Sequence, residues 1–145
     1  MKDIFREIQK RAVALYKRHS NKPLCIVSQD CCSEMTRLIG CWVSPRYPEA
    51  RMYILKGKNV MYSKKSHDVL ILEHNNSWYL IDPTIWQFFP LKRSIYRGRF
   101  ATQNDLVAFV KGMYRGTWSI SENVDVKLYD PKELEATVVA NVRES

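Results

Sequence analysis

A thiol, an imidazole and a carboxylate form a minimal set for nucleophilic attack on an acyl carbon, and this chain carries all three. The thiol comes first, as the adjacent pair Cys31 and Cys32, followed by His67 and then Asp82. A free thiol is weakly ionised at neutral pH, so attack needs a neighbouring imidazole and often a helix N-terminus. A third group must hold the imidazole in its useful tautomer. Residue types alone leave Cys31 and Cys32 both open as the nucleophile.

The elements that would position these groups are legible nearby. The spacing of Met35, Leu38 and Ile39 predicts a helix over about Asp30 to Trp42, with Asp30 or Ser28 as its N-cap, so either cysteine falls in its first turn. His67 to His74 and Ser77 to Asp82 read as two strands joined by the turn Asn75-Asn76, a β-hairpin. A two-residue turn there pairs His74 with Ser77, so that Asp82 faces Val69 and His67 lies diagonal to Asp82 on the same face. Such diagonals are about 7–8 Å between Cα atoms, within reach of a long side-chain pair. A slip of one residue would put the two on opposite faces. Pro83 ends the second strand because it lacks a backbone donor.

The remaining elements frame this unit. Ile4, Phe5, Ile8, Ala12, Leu15 and Tyr16 form an apolar stripe on a helix near residues 2–19, broken at Asn21 to Pro23. Residues 44–50 hold two prolines and form a loop. Met52 to Leu55 and Val60 to Tyr62 are expected as strands flanking Lys56-Gly57-Lys58-Asn59, and Val124 to Tyr129 as another strand. Thr102 with Asp105 opens a helix to about Tyr114, and Asp130-Pro131 opens a C-terminal one. The class is α+β, an antiparallel sheet packed by helices, in one domain spanning 1–145 with no repeat or linker.

The run His67-Asp68-Val69-Leu70-Ile71-Leu72-Glu73, followed by Trp78-Tyr79-Leu80-Ile81-Asp82-Pro83-Thr84, resembles the His strand and the Asp-Pro-Thr strand of transglutaminase-like proteins. These belong to the broader papain-like fold, in which a nucleophilic Cys begins a helix and His and Asp follow on adjacent strands. The likeness covers roughly residues 28–90. Cys32-Ser33-Glu34-Met35-Thr36-Arg37-Leu38 is similar to the Cys-x-x-x-Ser/Thr-x-x-Leu run of bacterial members, which favours Cys32 and leaves Cys31 as the alternative nucleophile. The resemblance also implies Gln29 as an oxyanion donor beside the backbone N–H of the nucleophile. Gln87 can orient the triad from one remove. Cys25 and Cys41 read as small core hydrophobes, and His19 and His74 as surface residues.

Composition narrows the function further. The chain has 145 residues, 46% hydrophobic and 26% charged, which excludes intrinsic disorder. No apolar run approaches the ~18 residues of a membrane helix, and the charged start is unlike a signal peptide, so a cytoplasmic protein without a membrane partner is expected. The net charge of +8 is dispersed along the chain and accompanies no nucleic-acid-binding pattern, so nucleic acid is not the expected partner. No CxxC spacing exists, so neither a metal nor another cofactor is expected. The expected function is cysteine-dependent acyl transfer or amide hydrolysis on a protein, a peptide, or a small amide or thioester. The alternative is a non-catalytic binding module of the same fold whose basic surface holds an anionic partner.

Overall fold

The computed structural model describes residues 2–145. Helix α1 (Lys2–Arg18) places its whole apolar stripe, Ile4, Phe5, Ile8, Ala12, Leu15 and Tyr16, in the core, as its spacing predicts. A short helix α2 (Leu24–Val27) follows Pro23, which presets the backbone for a helix start. Helix α3 (Cys32–Val43) begins two residues later than Asp30, and Cys31 is its N-cap. Asp30 cannot cap it because it occupies the left-handed region (φ 61°), where an Asp is tolerated and the chain reverses.

Five strands form one antiparallel sheet in the order β4-β3-β2-β1-β5: β1 (Arg51–Lys58), β2 (His67–His74), β3 (Ser77–Asp82), β4 (Tyr96–Phe100) and β5 (Thr117–Asn123). The β2–β3 hairpin has the expected register, His74 opposite Ser77 and Leu70 opposite Ile81. Asn75 (φ 50°) and Asn76 (φ 59°) form the turn, both in the conformation that matches the twist of a tight hairpin. Helices α3 and α5 (Pro131–Glu144) cover one face with α1, burying Ile54, Leu70, Leu72 and Ile81. Helix α4 (Gln103–Tyr114) covers the other, over Leu55, Val69, Ile71 and Leu80. The side chains of Thr102 and Asp130 cap α4 and α5 as the sequence predicts.

Three expected features are corrected. Lys56-Gly57-Lys58 is no turn: β1 runs through it, and Val60 to Tyr62 is a 3-10 turn, not a strand. Gly57 is in the strand because the Trp118 ring lies on it, 2.6 Å from where a Cβ would stand. Val124 to Tyr129 is likewise no strand, since the Asp125 side chain accepts from Lys127 N–H and turns the chain into a 3-10 segment. β5, one of the two edge strands, is mostly exposed on both faces apart from Trp118, so its sequence lacks a clear apolar alternation. Among the described residues no helix is long and apolar enough to cross a membrane.

Trp118 cannot easily yield to a side chain at Gly57, because its indole N–H is held by the Arg115 carbonyl at 2.7 Å. Gly57→Ala is therefore expected to destabilise the fold by roughly 1–3 kcal/mol, the usual cost of overpacking. Urea unfolding of the variant would measure this.

Candidate active site

His67 opens β2 and Asp82 closes β3, and the hairpin register sets their side chains on the face covered by α4. Both are fully buried, and His67 Nε2 lies 2.8 Å from Asp82 Oδ2. A buried carboxylate needs donors for its lone pairs, and Asp82 has them on both oxygens. Oδ1 accepts from the Thr84 N–H at 3.0 Å and from its hydroxyl at 3.4 Å, which is what Asp-Pro-Thr contributes locally. Oδ2 accepts from His67 and also from the buried hydroxyl of Tyr114, at the end of α4.

The ring of His67 is enclosed by aromatic side chains. Phe88 and Trp118 meet it edge-on at 4.8 Å and 6.3 Å between centroids, and Tyr114 lies tilted to it at 5.3 Å. With Nε2 committed to Asp82, Nδ1 is the nitrogen left for a partner. The Gln87 amide nitrogen lies 3.3 Å from Nδ1 and donates to the Thr84 hydroxyl at 2.9 Å, so a chain of hydrogen bonds links Gln87 through Thr84 to Asp82. Desolvation opposes the imidazolium, but the Asp82 charge and hydrogen bond, with hydrogen-bonding and charge contributions from Cys32, outweigh it. Together they push His67 from an ordinary 6.5 up to about 10.

The two adjacent cysteines differ in surroundings. Cys32 is the first residue of α3 and half-buried, and it is the cysteine that acts on His67. Cys31 is buried, with its sulfur 3.4 Å from the Ser28 carbonyl. Burial, with the charges of Cys32 and Glu34, pushes the Cys31 thiol up to about 12. The first turn of α3 is braced by Arg37, which donates to the Ser33 carbonyl at 2.9 Å and pairs with Glu122 of β5. Thr36, buried one turn below Cys32, also donates to that carbonyl. Cys31 makes no side-chain cap, so the first N–H groups of the helix face the thiol region without an intrahelical partner.

Cys32, His67, Asp82 and Gln87 thus converge. Gln29 lies in the turn before α3, and its carbonyl accepts from the Asn141 side chain at 2.7 Å. Among the described contacts none joins the Gln29 amide to the thiol. Cys25 is half-buried and packs against the core as its type suggested, whereas Cys41 is half-buried on α3 and lies outside that cluster. Tyr114 and Trp118 escaped sequence reading because they reach the site from α4 and β5, 32 or more residues beyond Asp82. Beyond Phe88 lies an apolar groove of about 430 Å³, lined by Phe88, Phe89, Pro90, Leu91 and Lys92. Among the described residues no three His, Cys, Asp or Glu side chains gather as a metal ion would require. No protein-family model, curated protein or solved structure matches the chain.

The raised His67 has a consequence for stability. A group raised on folding stabilises in full below its unfolded value, here 6.5, and the gain is lost as pH rises through its folded value, here about 10. Changing Cys32 to Ser removes the neighbouring thiol from the titration while Asp82 still raises the ring. In Cys32→Ser the unfolding free energy is expected to fall as pH rises from about 6.5 toward the raised folded value of His67. The double variant with Asp82→Asn should show a flatter profile, read from urea unfolding across that range.

Proposed function

We propose that the protein is a cysteine-dependent acyl-transfer enzyme or amide hydrolase with Cys32, His67 and Asp82 as its triad, on a papain-like, transglutaminase-like core. One observation carries the reading. A half-buried thiol at an uncapped helix start lies within electrostatic reach of an imidazole whose far nitrogen is bonded to a fully buried, multiply hydrogen-bonded carboxylate.

In this reading the Cys32 thiolate attacks the carbonyl carbon of an amide or thioester, forming a C–S bond while the carbonyl electron pair moves to oxygen. The Cys32 backbone N–H at the start of α3 is suited to the oxyanion. Gln87, whose amide reaches His67, is the side-chain amide at the site, while Gln29 would have to turn toward the thiol to serve as a second donor. Collapse breaks the bond to the leaving group, which takes the proton held on His67 Nδ1. The neighbouring Cys32 sulfur helps to hold that proton, and this help is lost once the sulfur is acylated. His67 then becomes a better base, able to draw a proton from water or an amine that attacks the thioester, after which the C–S bond breaks, the acylated product leaves and Cys32 returns as the thiolate. Asp82 keeps Nε2 protonated throughout, so that Nδ1 does the exchange. The apolar groove beyond Phe88 is suited to an apolar side chain of a protein or peptide acyl donor. No metal or organic cofactor enters these steps.

The basic surface supports a second reading, a binding module for an anionic partner. Arg37 pairs with Glu122, Arg46 with Glu7 and Lys22 with the C-terminal residue, few pairings against a net charge of +8. Turnover separates the two readings.

Iodoacetamide labelling with mass mapping tests the nucleophile. A thiol beside an imidazolium and a helix start reacts as thiolate below the pH at which free cysteine does. Labelling faster than that of free cysteine is expected on Cys32, lost in Cys32→Ser, retained in Cys31→Ser and slowed in His67→Ala. Fast labelling of Cys31 would move the nucleophile by one residue, and labelling no faster than free cysteine would favour the binding module. Once a substrate is in hand, Asp82→Asn should lower kcat by about three to four orders of magnitude while the protein stays folded, through loss of the tautomer. A fall in melting temperature with unchanged kcat would make Asp82 structural.

A further inference from the structure

Tyr114 is fully buried and ends α4, and its hydroxyl donates to Asp82 Oδ2, the oxygen that also accepts from His67. A merely structural hydroxyl would have been satisfied by any nearby carbonyl. This one shares a single carboxylate oxygen with the imidazole. Its ring also packs on His67 at 5.3 Å and on Trp118 at 5.5 Å between centroids.

The segment after Tyr114 is built to keep it there. Arg115 (φ 61°) and Gly116 (φ 79°) turn the chain sharply into β5. A side chain at Gly116 would meet the Lys58 carbonyl at 2.3 Å, so only glycine allows the turn to lie against the end of β1. Trp118 follows, held by the Arg115 carbonyl and lying on Gly57, the residue opposite His67 in the sheet. The α4–β5 turn therefore delivers a hydroxyl to Asp82 and an indole to the flank of His67 from one rigid piece of chain.

We propose that Tyr114 is a positioning residue that tunes the proton affinity of His67 through Asp82, a role that rests on the acyl-transfer reading for its use but not for its physics. Two donors on Oδ2 divide the negative charge that one imidazolium would otherwise hold alone. The divided charge keeps Asp82 oriented and stops it from binding the His67 proton too tightly. A ring that held its proton too firmly could not act as the base that deacylation needs. Phe88 and Trp118 exclude water from the pair, so no solvent molecule takes over the second hydrogen bond.

The experiment is NMR titration of the His67 ring in wild type and Tyr114→Phe, with iodoacetamide labelling of Cys32 followed across pH on the same samples. In Tyr114→Phe the His67 midpoint is expected to move up by about one unit, a tenfold gain in proton affinity. The labelling profile should shift with it. A folded variant with an unchanged His67 midpoint would make Tyr114 structural only and overturn the proposal. Should the variant fail to fold, wild type still decides. A cross-peak between a slowly exchanging Tyr114 hydroxyl proton and the His67 Nε2 proton is expected, and its absence at low temperature would overturn the shared acceptor. A midpoint that moves while Cys32 is unreactive even in wild type would support the role of Tyr114 and remove the acyl-transfer reading.

Discussion

The burial of one carboxylate organises this molecule. Asp82 has no exposed surface, and a desolvated carboxylate without donors would cost several kcal/mol. Its donors come from three places: the Thr84 N–H and hydroxyl two residues on, His67 across the hairpin, and Tyr114 from the far helix. Local chain, sheet register and tertiary packing are all tied to one side chain. Removing any donor shifts the charge onto the ones that remain, and the site and the fold are linked in that sense.

The same constraint separates the two adjacent cysteines. Consecutive residues on a helix diverge by about 100°, so the turn that directs Cys32 at the imidazole sends Cys31 inward. Cys31 contacts Tyr16 and the Ser28 carbonyl, and Tyr16 in turn donates to the Pro83 carbonyl at 2.9 Å. The carbonyl after Asp82 and the residue before Cys32 thus meet at one tyrosine from α1. The helix bearing the thiol and the strand bearing the carboxylate are held at a fixed separation through the core.

Much of this was legible because its causes are local. The Asn75-Asn76 turn fixes a register, the register fixes which face Asp82 takes, and the apolar stripe of α1 needs only a core to face. Gly57 misled because glycine marks both turns and close packing, and only the position of Trp118, 61 residues on, decides which. Strand β5 was hidden because an edge strand exposed on both faces carries little alternation, whereas Val124 to Tyr129 carries more and is bent by Asp125. Asp30 has the residue type of an N-cap and the backbone of a left-handed turn, a choice set by how α2 meets α3. Tyr114 carries no local mark at all, since a tyrosine at a helix end reads as core until Asp82 is placed beneath it.

The central claim is that the sulfur of Cys32 takes and releases an acyl group. Brief incubation with p-nitrophenyl acetate, acid quenching and peptide mapping measures it directly. The account predicts one acetyl group as a thioester on the peptide that contains Cys32, cleaved by neutral hydroxylamine, decaying with time and absent from Cys32→Ser. Acetylation confined to lysines, or a stable adduct on another cysteine with none on Cys32, would contradict it.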